Sequence, residues 1–264
     1  MDRVVEDFSQ RFCEKRHSHA SIQHPYWVGG EGPAIILMHE LDGFSTAFIH
    51  LALRLSDSFR VHAPVFYGAV GEDFSGPIGL ARACFCIRKE FELLRLGQTS
   101  LITEWVRDLA AKIHHQHSDG KGIGIVGMCM TGGIVLATIS HPSIAVGVAA
   151  QPSLPFQMPF GSLARRHDLG MDQEDVQAAA TSETPVLILR YGKDRICPAE
   201  RMESIKATIP SSLFPSQPLQ DKLDRQASHP TLTDRFRPGR APEIEGVSDE
   251  AITEVTHFLI EHLG

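Results

Sequence analysis

The stretch Gly127-Met128-Cys129-Met130-Thr131-Gly132-Gly133 is the part of this chain best equipped for chemistry. An apolar run, Gly122 to Gly127, precedes it, and a segment with helical spacing, Thr131 to Ile139, follows it. Where a strand turns sharply into a helix the backbone needs small neighbours, so glycines flank one projecting side chain. Here that side chain is a cysteine. A thiol attacks as its anion, and the positive end of the following helix favours that anion. The backbone N–H of Met130 is then placed to bind an oxyanion. The pattern is a G-x-S-x-G turn with cysteine in the serine position and one extra residue before the closing glycines. An isolated buried cysteine is more often structural; the strand–Gly-x-Cys–helix setting points to a nucleophile.

A cysteine nucleophile needs a base and a group that orients the base. On turns of this type the partners follow in the order acid, then histidine. The acid that fits is Asp194, in Tyr191-Gly-Lys-Asp194, just beyond the strand-like run Pro185 to Arg190. Three histidines remain after it. His257 and His262 fall on an amphipathic closing segment, whereas His229 lies in a long loop and is the favoured base.

The elements that must position these residues alternate along the chain. Apolar runs at Ala34–Met38, Phe59–Ala63, Gly122–Gly127, Ile144–Ala149 and Pro185–Arg190 read as strands, with a short one at Ser211–Phe214. Helical spacing appears over Ser45–Leu55, with Ser45 as N-cap, and over Thr99–His117, Thr131–Ile139, Ala199–Ala207 and Ser248–Leu263, with a short patch at Phe91–Leu96. This alternation predicts an α/β fold with a mostly parallel sheet covered on both faces by helices. No repeat or low-complexity linker interrupts it, so one domain spanning 1–264 is expected. Residues 1–30 read as an N-terminal extension with a leading strand around Tyr26–Val28, and 215–247 as a long loop. In such sheets the site lies beyond the carboxyl ends of the strands, where the motifs above fall.

Composition narrows the function classes. The 264 residues are 42% hydrophobic and 22% charged, the values of a globular chain. The net charge of −7 argues against nucleic acid or an anionic membrane as partner. No apolar run is long enough to span a bilayer, and Met1-Asp-Arg-Val-Val-Glu-Asp lacks a secretory pattern. Five cysteines, an odd number at low density, suggest reduced thiols. A cytoplasmic protein, monomer or small homo-oligomer, is the expectation. His114, His115 and His117 crowd a helix end but point to different faces, so zinc is not expected. Cys84-x-Cys86 lacks a second ligand pair. Gly122-x-Gly124-x-x-Gly127 lies in a strand rather than at a phosphate-binding turn. Neither a metal nor a cofactor is implied.

With these residues in place, the chain resembles the dienelactone hydrolase family of α/β-hydrolases from about Ala34 to Leu263. The resemblance rests on Met38-His-Glu40-Leu-Asp-Gly43, on Gly127-Met-Cys129-Met-Thr-Gly132-Gly133, on Gly192-Lys-Asp194 with Pro198, and on His229. It implies an α/β-hydrolase fold and a Cys129–Asp194–His229 triad. It also implies that Glu40 contacts the resting thiol until substrate displaces it. Leu41 would then supply the second oxyanion N–H beside Met130. The substrate implied is a small ester or enol-lactone. Family members bind the carboxylate of dienelactone with arginines, for which Arg82, Arg88 and Arg235 are the candidates here. Two readings of other classes stand beside this one. They are a non-catalytic relative acting as a binding module, and a redox-sensing thiol protein in which Cys197 or Cys86 resolves an oxidised Cys129.

Overall fold

A computed structural model describes residues 3–73, 100–117, 120–154, 166–215, 229–237 and 242–264, with only the backbone of 242–247. Among these residues, eight strands form one sheet in the order β1-β2-β4-β3-β5-β6-β7-β8. The strands are β1 (Phe12–His19), β2 (Ile22–Gly29), β3 (Ala34–Met38), β4 (Arg60–Pro64), β5 (Ile123–Met128), β6 (Ile144–Ala150), β7 (Val186–Leu189) and β8 (Ser212–Leu213). From β4 across to β8 every pairing is parallel, and the β1–β2 hairpin joins β4 antiparallel. The mostly parallel sheet expected from the alternating pattern is therefore present, extended at one edge.

The strand interiors are apolar on both sides because both faces are covered. In β3, Ile36 and Met38 point to one face and Ile35 and Leu37 to the other, the two-residue period of a strand. Against the first face pack helices α3 (Leu101–His117), α4 (Met130–Thr138) and α5 (Gln173–Thr181), led by Trp105, Leu109 and Val135. Against the second pack α1 (Arg3–Arg11), α2 (Thr46–Leu55) and α7 (Pro242–Leu263), through Phe8, Phe48, Ile252 and Leu259. Helix α6 (Ala199–Thr208) follows β7. Ser45 caps α2 as its sequence suggests, its side chain accepting the Phe48 N–H at 3.4 Å.

Three segments depart from the sequence reading. Residues 1–30 hold a helix and a complete hairpin rather than one leading strand. β1 is the outermost strand, so its side chains (Glu14, Lys15, Arg16) are exposed and carry no apolar alternation. Helix α5 goes unpredicted because only Asp175 and Ala179 of it are buried, too few for an apolar stripe. The closing helix begins at Pro242, six residues before Ser248, and a 3₁₀ turn at Asp234–Phe236 precedes it within the segment read as loop. The patch Phe91–Leu96, Cys84, Cys86, Arg82 and Arg88 lie outside the described residues.

Candidate active site

Cys129 stands between β5 and α4 with φ 54° and ψ −114°, a backbone conformation that L-residues other than glycine rarely adopt. The turn is tight enough to exclude a side chain at Gly127: a Cβ there would come within 2.4 Å of the Thr131 carbonyl oxygen. Hydrogen bonds fix the turn against the end of β6. The Cys129 N–H donates to the Ala150 carbonyl at 3.0 Å, and the Cys129 carbonyl accepts from Ser153 N at 2.9 Å and Gly132 N at 3.2 Å. The buried Thr131 hydroxyl accepts the Met128 N–H at 2.9 Å. Its own proton faces the carbonyls of Met128, at 2.9 Å, and His39, at 3.2 Å. That ties the cysteine turn to the loop after β3. Met130 opens helix α4, where an N–H has no acceptor within the helix.

Asp194 follows β7 in a turn that orients both carboxylate oxygens. Oδ1 accepts the N–H groups of Ile196, at 2.8 Å, and Cys197, at 3.0 Å. Arg190 donates to the carbonyls of Asp194 and Cys197, at 3.1 and 2.7 Å, bracing the same turn. Oδ2 is left for His229, whose Nδ1 lies 2.7 Å away. The Asp194 side chain is fully buried and that of His229 nearly so. The other ring nitrogen, Nε2, is buried with no hydrogen-bond partner among the described residues, and Cys129 lies near enough to act on the imidazole. Burial alone would lower the His229 pKa. Cys129 first, then Asp194, outweigh it and raise the pKa.

The loop that carries His229 is held by residues outside the motifs. Gln151, fully buried at the end of β6 with φ 37°, accepts the Thr231 N–H at 3.2 Å through its side-chain oxygen and also the Thr231 hydroxyl. Ser248 of α7 donates to the Thr231 carbonyl at 2.9 Å.

Glu40 reaches the site by strand register. Met38 of β3 pairs with Gly127 of β5, so the residues two further on, Glu40 and Cys129, leave neighbouring strand ends together. Its backbone is fixed by His39 and Tyr67. His39 Nδ1 donates to the Glu40 carbonyl at 2.9 Å, while Nε2 accepts the Phe66 N–H at 3.2 Å. Burial lowers the His39 pKa to about 4, which keeps that ring neutral. Tyr67 donates to the same carbonyl at 3.0 Å. The Glu40 carboxylate is bonded to Thr233 and, at 3.2 Å, to Arg237. Arg237 also donates to Asp42. Leu41 follows in the same loop, half-buried and packed on the core.

The structure thus brings Cys129, Asp194 and His229 to the same end of the sheet, and Glu40 leaves the neighbouring strand end with its carboxylate on Thr233 and Arg237. Arg235 points to Asp249 of α7, with which it forms an ion pair. Gln151, Thr233 and Arg237 were not singled out from the sequence. For Thr233 and Arg237 the one available signal was their place on the loop of His229, and Gln151 had none beyond ending a strand.

A thiol, an imidazole and a carboxylate arranged in series beyond the carboxyl ends of a parallel sheet, on a strand–turn–helix elbow, define an α/β-hydrolase. The dienelactone hydrolase family model matches residues 19–215, and the chain belongs to that family. It is a hydrolase of the α/β-hydrolase type. No protein with a curated description matches it by sequence. The fold is shared with a Klebsiella pneumoniae protein assigned as a dienelactone hydrolase, at 16% identity and TM-score 0.63, over 95% of this chain and 99% of that one. The Pyrococcus furiosus esterase Pf2001 is similar at 13% identity and TM-score 0.59, over 98% and 95% of the two chains. The dienelactone hydrolase of Anabaena variabilis is similar at 12% identity and TM-score 0.59, over 96% and 99%. No helix among the described residues is long and apolar enough to cross a membrane.

Proposed function

We propose that the chain, as one hydrolase domain, cleaves an ester or enol-lactone through Cys129 and a thioester intermediate. The observation that carries this reading is the 2.7 Å contact between Asp194 Oδ2 and His229 Nδ1, with Cys129 near enough to act on the same imidazole. The thiol proton passes to His229 Nε2 and the sulfur adds to the substrate carbonyl. The resulting oxyanion is received by the N–H groups of Met130 and Leu41. Collapse of the tetrahedral intermediate expels the alkoxide or enolate, which takes the proton from His229. Water, deprotonated by His229, then adds to the thioester, and the carboxylic acid leaves as the thiol reforms. Asp194 holds the tautomer of His229 and stabilises its cation. Glu40, drawn toward Arg237 and Thr233, tunes the charge next to the sulfur rather than taking part in these bond changes. The scheme calls on no metal or cofactor.

The test is hydrolysis of a dienelactone and of a simple aryl ester by wild type and by Cys129→Ala. Turnover lost by ~10³-fold or more in the variant is expected. Full activity in Cys129→Ala, or no turnover of any ester by wild type, would overturn the reading.

A further inference from the structure

Four elements collect positive charge on the face of the sheet that α3 covers. Val61 and Ala63 of β4 pack into the opposite core, so Arg60 and His62 alternate onto the α3 side. Strand register sets Lys15 of β1 opposite Tyr26 of β2, whose ring stacks on the His62 imidazole with centroids 6.1 Å apart. Helix α3 adds His117, its ring 5.6 Å from that of His62, and Lys112, which lies over Tyr26. Arg60 donates to His117 Nδ1 at 2.9 Å. His62 is 1% exposed, and neither of its ring nitrogens has a hydrogen-bond partner among the described residues. Around it, Lys15 and His117 are exposed and Arg60 is half-buried.

The carboxylates of these elements are engaged elsewhere. Glu14 of β1 pairs with Arg16 at 3.2 Å, and on α3 Glu104 pairs with Arg107 while Asp108 pairs with His17 and His19. Strands β2, β3 and β4 carry no acidic residue, and Lys15, Arg60 and Lys112 form no ion pair among the described residues. The imidazoles register the imbalance. Burial first, then His117, Lys15 and Arg60, lower the His62 pKa to about 3; burial, Arg60 and Lys15 lower that of His117. On a chain of net charge −7 this local excess of cations runs against the whole. A buried ring with both nitrogens unsatisfied also calls for a partner. The carboxyl end of α3 works against an anion here, but its partial charge is smaller than the two full charges of Lys15 and Arg60. We propose that Lys15, Arg60 and His117, with His62 beneath them, bind a tetrahedral oxyanion: sulfate, phosphate or a phosphoryl group. The ammonium and the planar guanidinium supply charged donors. The anion cancels the field that keeps the imidazoles neutral, so they take up protons as it binds. Arg60 opens β4 at its amino end, whereas Cys129 and Asp194 follow the carboxyl ends of β5 and β7, so the inference does not depend on the hydrolase reading.

Calorimetric titration of the full chain with sodium sulfate tests this, at pH 5.5 and pH 7.5, with sodium chloride of equal ionic strength as control. Sulfate keeps its charge over this range, so any pH dependence belongs to the protein. Wild type is expected to bind one sulfate, about tenfold more tightly at the lower pH because binding draws protons onto the imidazoles. Lys15→Met and Arg60→Gln should each weaken binding by about tenfold, the loss of one charged donor. His62→Gln should flatten the pH dependence. No sulfate binding at either pH, or an equal response to chloride, would overturn the proposal. Unchanged affinity in folded Lys15→Met and Arg60→Gln would overturn its assignment to this cluster. Should Arg60→Gln fail to fold, Lys15→Met, on an exposed side chain, still decides. Inorganic phosphate and phenyl phosphate, compared at pH 7.5, separate the two sources of the anion. Tighter binding of the first supports a site for the free ion, and tighter binding of the second supports one for the phosphoryl group of a larger molecule.

Discussion

Gln151 and Thr231 are joined by a buried hydrogen bond, Thr231 N–H to the Gln151 side-chain oxygen at 3.2 Å, that couples the end of β6 to the loop of His229. The end of β6 also receives the Cys129 N–H, through Ala150. The Cys129 turn and the His229 loop are therefore referenced to two consecutive residues, Ala150 and Gln151, at the end of one strand. Truncating Gln151 to Ala should let the His229 loop shift while leaving Cys129 in place. Misplacement of a catalytic group by an ångström costs about 10²-fold, so a kcat reduced ~10–100-fold with a smaller change in KM is expected in steady-state ester hydrolysis. A change confined to KM would show that Gln151 has no such role.

Asp194 performs two tasks with two oxygens, and two variants separate them. Asp194→Asn keeps an oxygen for the Ile196 and Cys197 N–H groups but removes the charge opposite His229. It should fold with little loss of melting temperature and lose on the order of 10⁴-fold in kcat. Asp194→Ala leaves both N–H groups without their acceptor and should in addition lose about 2 kcal/mol of stability by urea denaturation. Equal stability of the two variants would contradict this division.

Gly127→Ala should be among the most damaging small changes in the chain. The added methyl would meet the Thr131 carbonyl at 2.4 Å, backbone that is itself pinned by its helix and by the Thr131 side chain. A loss of more than about 3 kcal/mol, or insoluble protein, is expected. A melting temperature within a few degrees of wild type would show that the elbow can open.

His62 offers a pH-dependent test away from the site. It is buried on β4 with neither ring nitrogen hydrogen-bonded. Burial first, then His117, Lys15 and Arg60, lower its pKa to about 3. The sign follows from linkage. The unfolded chain binds a proton near pH 6.5 and the folded chain does not, so stability is intact above that pH and falls as pH drops toward 3. His62→Leu removes the penalty. It should match or exceed wild type at pH 8 and gain about 1.4 kcal/mol relative to it on going to pH 5.5. A stability difference independent of pH, measured by thermal melts across this range, would sink the argument.

What the sequence disclosed, and what it concealed, divides by the range of the interaction. The elbow was legible because its constraint is local: the flanking glycines and the cysteine sit within seven residues, between two apolar patterns. Asp194 and His229 were legible because chain order narrows the choice. The contacts of Gln151, Thr233 and Arg237 depend on which strand end faces which loop, and nothing in their own neighbourhoods signals that partnership. The β1–β2 hairpin stayed hidden for a related reason. A strand bonded on one side and wetted on the other needs no apolar alternation, so its residues look like those of a polar tail.

That same hairpin bears on how the protein behaves in a crowded solution. The outer edge of a sheet offers unpaired backbone groups to any passing strand, and fibril growth begins from such an offer. Here the outermost strand carries Glu14, Lys15 and Arg16 in succession, and at the opposite border β8 is only two residues long. A foreign strand aligning with β1 would bring its own chain against a row of charge, and one aligning with β8 would find almost no ladder to extend. The polar character that disguised the hairpin as a tail is thus a colloidal safeguard at one border of the sheet, matched by brevity at the other.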